Sequence, residues 1–190
     1  MKVILTIVAV SLHVLLSTAP TFAQGAGVEW EALNGEVTEL YRAGKYDRAV
    51  VVAKKALEVA ERNVGKNHPD VATSLNNLAL LYRTQGQYAQ AEPLYKRSLA
   101  IWEKSLGPSH PDVATGLNNL ANLYRTQGQY AQAEPLYKRS LAIKEKALGP
   151  NHPAVATSLE NLAVLYRATK REAQASELEK KAKRIRAIKQ

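Results

Sequence analysis

Cysteine is absent from the 190 residues, and methionine and phenylalanine occur once each. Without cysteine there can be no disulfide, no thiolate chemistry and no lipid-modified cysteine anchor; cysteine usage leaves the redox compartment open. The longest apolar run, Val3–Leu16, has fourteen residues, short of the ~20 needed to span a bilayer as a helix. There is no Gly-rich phosphate loop, no His-Glu-x-x-His and no serine in a nucleophile elbow. No catalytic constellation emerges, so the chain is expected to be non-enzymatic, with no cofactor and no metal.

What is present is repetition. His68–Ser109 and His110–Asn151 are one 42-residue unit written twice, differing only at Ser74/Gly116, Leu80/Asn122, Trp102/Lys144, Ser105/Ala147 and Ser109/Asn151. A fixed period of this length signals a solenoid. Within the unit, Leu75, Leu78, Ala79 and Tyr82 fall at i, i+3, i+4 and i+7, one apolar face of a helix. Gly86 suits the left-handed residue at a helix C-terminus. A second stripe follows through Tyr88, Ala91, Leu94, Tyr95, Leu99 and Trp102 or Leu106. It stops at Gly107-Pro108, and Pro111 with Asp112 opens the next helix. Pro93 lies about one turn into the second helix, where it loses one hydrogen bond and should bend the helix slightly. The expected fold class is all-α: an α-α superhelix of about four helix-turn-helix repeats.

Leu75, Asn77, Leu78, Ala79, Tyr82, Gly86, Tyr88, Ala91 and Tyr95, with their partners 42 residues on, make the unit resemble a tetratricopeptide repeat. The usual unit is about 34 residues. The longer second helix and the Leu-Gly-Pro-x-His-Pro linker make this one similar to the repeats of kinesin light chains and their bacterial relatives. The resemblance implies a protein-binding scaffold; repeats of this type serve many unrelated partners.

The chain divides as follows. Met1–Ala23 reads as a secretory signal peptide, with Lys2, the apolar run and the small residues of Thr21-Phe22-Ala23 placing cleavage near Ala23. The alternative is an uncleaved N-terminal membrane anchor. An exported protein, periplasmic or secreted, is expected. Gln24–Val28 reads as a short tether. Repeats follow at about 29–67, 68–109, 110–151 and 152–190. The first is degenerate: Glu36 stands where Leu78 and Leu120 stand later, as suits a terminal repeat. In the last, Lys170 replaces the turn glycine, and Glu172 and Glu179 replace tyrosines.

Of the formal +9 charge, Arg167–Gln190 holds a net of +6, from nine Lys/Arg and three Glu. A solvated cap is the favoured reading, ahead of a basic patch for a lipid surface or an acidic partner. Basic residues without interleaved aromatics do not suit nucleic acid. His68, His110 and His152 recur one repeat apart; stacked helices lie ~8–10 Å apart, too far for a shared metal, so each should cap a helix. Glu92, Glu134, Glu103 and Glu145 should form ion pairs rather than act as catalysts.

The candidate binding surface is the concave side, lined by the first helices. Its off-core positions give Asn34 and Tyr41, then Thr73, Asn76, Leu80 and Arg83, then Thr115, Asn118, Asn122 and Arg125, and finally Thr157, Glu160, Val164 and Arg167. Asparagine amides both donate and accept, and arginine forks onto carboxylates. A groove holding an extended peptide with Asp, Glu or a free C-terminus is expected, with Asn34, Thr73, Asn76, Arg83, Thr115, Asn118, Asn122, Arg125 and Arg167 as its binding residues. Asn77, Asn119 and Asn161 match a position that the resemblance makes structural, bonded to helix backbone. Trp102 is either a surface anchor or packing against the next linker. The partner is a protein or peptide, and the chain is expected to be monomeric. The alternative function is a structural subunit of an envelope or secretion assembly that stacks through its repeats, since near-identical units make end-to-end stacking cheap.

Overall fold

The structure, a computed structural model, describes residues 21–188. It holds eight helices and, among the described residues, no strand: α1 (Thr21–Arg42), α2 (Tyr46–Val64), α3 (Pro69–Thr84), α4 (Tyr88–Leu106), α5 (Pro111–Thr126), α6 (Tyr130–Leu148), α7 (Pro153–Ala168) and α8 (Glu172–Ala187). Of the stretch expected as a signal peptide, Met1–Ala23, residues 1–20 lie outside the described residues, and Thr21–Ala23 begin α1. The stretch expected as a tether, Gln24–Val28, is instead helical and continuous with α1. No described helix is long and apolar enough to cross a membrane.

Local chemistry sets the helix boundaries. Each of the three linker histidines is an N-cap: His68, His110 and His152 accept from the backbone N–H two residues on, through Nδ1 at 3.2, 3.2 and 3.1 Å. The proline after each opens the helix, where no donor is needed. The tight turn inside each repeat is closed by a residue with positive φ. It is Gly86 at 75° and Gly128 at 74°, and in the last repeat Lys170 at 60°, a conformation that strains a residue with a Cβ. Pro93 and Pro135 sit on exposed faces, and α4 and α6 run through them.

Each repeat is an antiparallel pair clamped by small residues. Ala91, Ala133 and Ala175 are fully buried at one position of the second helices. Ser98 and Ser140, also fully buried, donate across the pair to the carbonyls of Ala72 and Ala114 at 2.7 Å. Between repeats, Leu57 packs into the cluster holding Leu78 and Leu81, and Leu99 and Leu141 pack into the one holding Leu120, Leu123, Leu162 and Leu165. The core is therefore a continuous strip along the stack.

Candidate functional site: the wall of first helices

The stack curves. Among the described residues α1 touches α3, α3 touches α5 and α5 touches α7, whereas successive second helices do not meet. The first helices therefore lie on the inner side of the curve, where the spacing is tightest, and their off-core residues form its wall.

The asparagines of this wall are not free. Asn77 donates through Nδ2 to Oδ1 of Asn34 at 3.0 Å, Asn119 to Asn76 at 2.9 Å and Asn161 to Asn118 at 2.9 Å. These are rungs between neighbouring repeats, each spanning 43 residues. Asn77, Asn119 and Asn161 are structural, as the resemblance implies, but they bond side chains rather than backbone. Asn34, Asn76 and Asn118, expected to offer acceptors to a peptide, spend them on the rungs. Asn34 also donates to the carbonyl of Trp30, so it has little left to offer. The sequence carries a signal for this pairing. The inner repeats have adjacent asparagines, Asn76-Asn77 and Asn118-Asn119, while the first keeps only the acceptor (Asn34, then Gly35) and the last only the donor (Glu160, then Asn161).

Thr73 and Thr115 turn their hydroxyls to the carbonyls of Pro69 and Pro111 within their own helices. The three arginines differ in surroundings. Half-buried Arg83 makes no ion pair among the described residues. Half-buried Arg125 donates through Nε to the Tyr137 hydroxyl at 3.3 Å. Arg167 is exposed, and its guanidinium is taken by Glu172 at 2.7 Å and Glu179 at 2.8 Å. The open part of the wall thus ends at Arg125.

The Leu80/Asn122 difference decides the state of a buried tyrosine. Tyr137 donates to Oδ1 of Asn122 at 2.6 Å. Tyr95, at the same position one repeat earlier and fully buried, has no partner for its hydroxyl, because Leu80 offers no acceptor. Burial pushes its phenol up to about 12. Leu80 instead borders an apolar cavity of about 110 Å³ lined by Val37, Thr38, Tyr41, Asn77, Leu80 and Leu81.

Trp102 is not a surface anchor. It is buried at 3% exposure in the inter-repeat core. A Cβ on Gly116 would stand 3.2 Å from its ring, so the glycine makes the tryptophan fit. One repeat on, both residues change together: Lys144 occupies the slot and donates to Ser158 Oγ at 3.0 Å. Burial holds the Lys144 ammonium below its usual range. At the first junction the indole of Trp30 fills the space and donates to Ser74 Oγ at 2.8 Å.

The carboxylates expected to pair do so. Glu92 meets Lys96, Glu134 meets Lys138 and Arg171, Glu103 meets Arg139, and Glu145 meets Lys181. Among the described residues no group of His, Asp or Glu is placed to hold a metal.

The family model for the tetratricopeptide repeat matches residues 38–104, 81–146 and 112–187. Among solved structures, the chain is similar to BtubC (BKLC) from P. vanneervenii, with 28% identity and a TM-score of 0.74 over 86% of this chain and 63% of that one. This chain therefore spans less than two thirds of that relative's length. Kinesin light chain-like repeats from Podosopora anserina, described as nearly identical and TPR-like, match with 25% identity and a TM-score of 0.72, over 89% of this chain and 78% of that one. PilF of Pseudomonas aeruginosa, at 24% identity and a TM-score of 0.64 over 85% of this chain and 63% of that one, shares the fold. With its 42-residue units and helix-pair stack, the chain belongs to the tetratricopeptide repeat family and is of the kinesin-light-chain-like type.

Proposed function

We propose that this repeat protein is a non-enzymatic scaffold, and that its inner wall holds an extended peptide segment rich in acceptors: carboxylates and backbone carbonyls. The observation that carries this reading is the donor character of what the rungs leave over. The acceptors of Asn76 and Asn118 are used within the stack, and that of Asn122 is used by Tyr137. What is left over on half-buried side chains is amide N–H of Asn118 and Asn122 and the guanidinium groups of Arg83 and Arg125. Arg83 has no carboxylate partner among the described residues, and a guanidinium binds a carboxylate through two parallel bonds. The working residues are then Arg83, Arg125 and Asn122, with Asn118 contributing a donor only and buried Asn76 left out. Arg167, held by two glutamates, is left out.

The test uses fluorescently labelled peptides of equal length, one set rich in Asp and Glu with a free C-terminus and one neutral and amidated. The acidic set should bind and weaken with salt. Binding should fall roughly tenfold or more in an Arg83→Ala, Arg125→Ala double variant whose helicity is unchanged, since a desolvated charged hydrogen bond is worth about 1.5–3 kcal/mol. Equal binding of both sets, or equal binding by the variant, would reject the acidic-peptide reading.

We further propose that the chain is exported and cut near Ala23, on the strength of the Lys2, apolar-run and Thr-Phe-Ala pattern. N-terminal sequencing of the protein from cell fractions checks this. A start at Gln24 outside the cytoplasm supports export, and an intact Met1 on a membrane-bound form favours the anchor.

A further inference from the structure

We propose that the two ends of the stack recognise each other, so that copies of this chain add head to tail in the register of its own repeats. This surface is separate from the inner wall, and the proposal does not depend on a peptide ligand. The argument rests on positional equivalence. At each internal junction a leucine of the second helix packs into the apolar cluster that holds two leucines of the following first helix: Leu57 into that of Leu78 and Leu81, and Leu99 and Leu141 into that of Leu120, Leu123, Leu162 and Leu165. Continued by 42 residues, Leu141 becomes Lys183 on α8. Stepped back by 42, Leu78 and Leu81 become Glu36 and Glu39 on α1. The apolar contact that recurs inside the stack would thus recur between copies as lysine against two glutamates.

Glu36, Glu39 and Lys183 are exposed and make no direct ion pair among the described residues; Lys183 feels Glu179 only at longer range. Most other charges near Lys183 are already neutralised: Arg167 by Glu172 and Glu179, Lys180 by Glu177, Lys181 by Glu145 and Arg186 by Glu160. The helices are opposite in balance. α1 carries four Glu and one Arg, and α8 carries three Glu and five Lys/Arg. One contact type is missing at this junction. Gly35 stands where the rung donors Asn77 and Asn119 stand, and Glu160, in the acceptor position, is held by Arg186 at 2.7 Å. Association between copies is therefore weaker than stacking within one, reversible and sensitive to salt. The contact is heterologous and does not close on itself, so it builds open chains rather than a fixed dimer.

The test is sedimentation of the full chain at rising concentration. At an ionic strength of about 0.01 M, where charges act over ~30 Å, the mean mass should grow with concentration; at about 1 M, where the range is ~3 Å, it should return to that of one chain. A Glu36→Lys, Glu39→Lys variant and a Lys180→Glu, Lys183→Glu variant should each stay monomeric at low salt, because each has two ends of one sign. Mixed, they should associate again, in alternation. A wild-type chain that stays monomeric at low salt overturns the proposal. So does association that survives either swap, or a mixture that fails to recover it. The mixture also separates loss of recognition from loss of folding, since a misfolded variant would not be rescued.

Discussion

Two tyrosines at one repeat position, buried alike, differ in their hydrogen bonds. The Tyr137 hydroxyl donates to Asn122 and accepts from Arg125, whereas the Tyr95 hydroxyl has Leu80 where Asn122 would stand and no hydrogen-bond partner. An unpaired buried hydroxyl costs about 1–3 kcal/mol, whereas a made bond contributes about 1 kcal/mol net. Phenylalanine should therefore act oppositely at the two sites. Tyr137→Phe should destabilise by about 1 kcal/mol, and Tyr95→Phe should be neutral or stabilising, as read from urea midpoints at constant slope. Equal losses at both would mean that Tyr95 has found an acceptor. The same scale explains Trp102 and Gly116. These two of the five differences between the repeats are a single change in packing, because a side chain at 116 would meet the indole at 3.2 Å.

At the scale of the element, the first helices are tied to one another by the asparagine rungs as well as by apolar packing. Asn76 is only 7% exposed and accepts from Asn119. Removing the donor leaves a buried carbonyl oxygen unsatisfied. Asn119→Ala should cost about 1–3 kcal/mol and loosen the junction of α3 with α5, which hydrogen exchange at those helices would report as lost protection. A binding loss in this variant should track the stability loss. Arg83→Ala, by contrast, should change stability less, because Arg83 makes no ion pair among the described residues and acts on Tyr95 and Tyr137 only through longer-range electrostatics. Much of this level was legible beforehand. The histidine caps, the turn glycines and the Glu92-Lys96 and Glu134-Lys138 pairs are all local, set by spacings of two to five residues. The rungs span 43 residues, and periodicity alone does not say which of two adjacent asparagines faces the neighbouring helix.

At the scale of the whole molecule, charge placement governs the response to pH. Glu134 bridges repeats: it pairs with Lys138 on its own helix, receives the Arg171 guanidinium at 2.7 Å, and accepts from the Tyr166 hydroxyl. Arg171 also lies over the Tyr166 ring at 4.0 Å. The hydrogen bond from Arg171, then that from Lys138, lowers the carboxyl from 4.5 to about 2. In the unfolded chain the carboxyl takes up its proton at the ordinary value, and in the fold it resists until lower pH. Its contribution is thus fully present above about 4.5 and is lost as pH falls to about 2. Thermal melts should show a midpoint that is flat near neutrality and falls through this window. Glu134→Gln should be less stable at neutral pH and should show a shallower acid decline. Parallel pH curves for the two proteins would place the acid sensitivity elsewhere, on Glu92, Glu160 or Glu179, whose carboxyls are also lowered by basic neighbours.

The sequence by itself determined the architecture: a period of 42 residues, apolar stripes at helical spacing, and caps and turns whose residue types admit few conformations. It also marked the degenerate ends, because a charge at a stacking position reads directly as a surface without a neighbour. Only the tertiary structure decided which side chains of the inner wall are free. Asn34 and Arg167 have the right position and chemistry for a ligand, yet one is held by Asn77 and Trp30 and the other by Glu172 and Glu179. The physical reason is competition. A polar group satisfied inside the fold gains little from a ligand, and whether it is satisfied depends on residues of other helices that only folding brings within 3 Å.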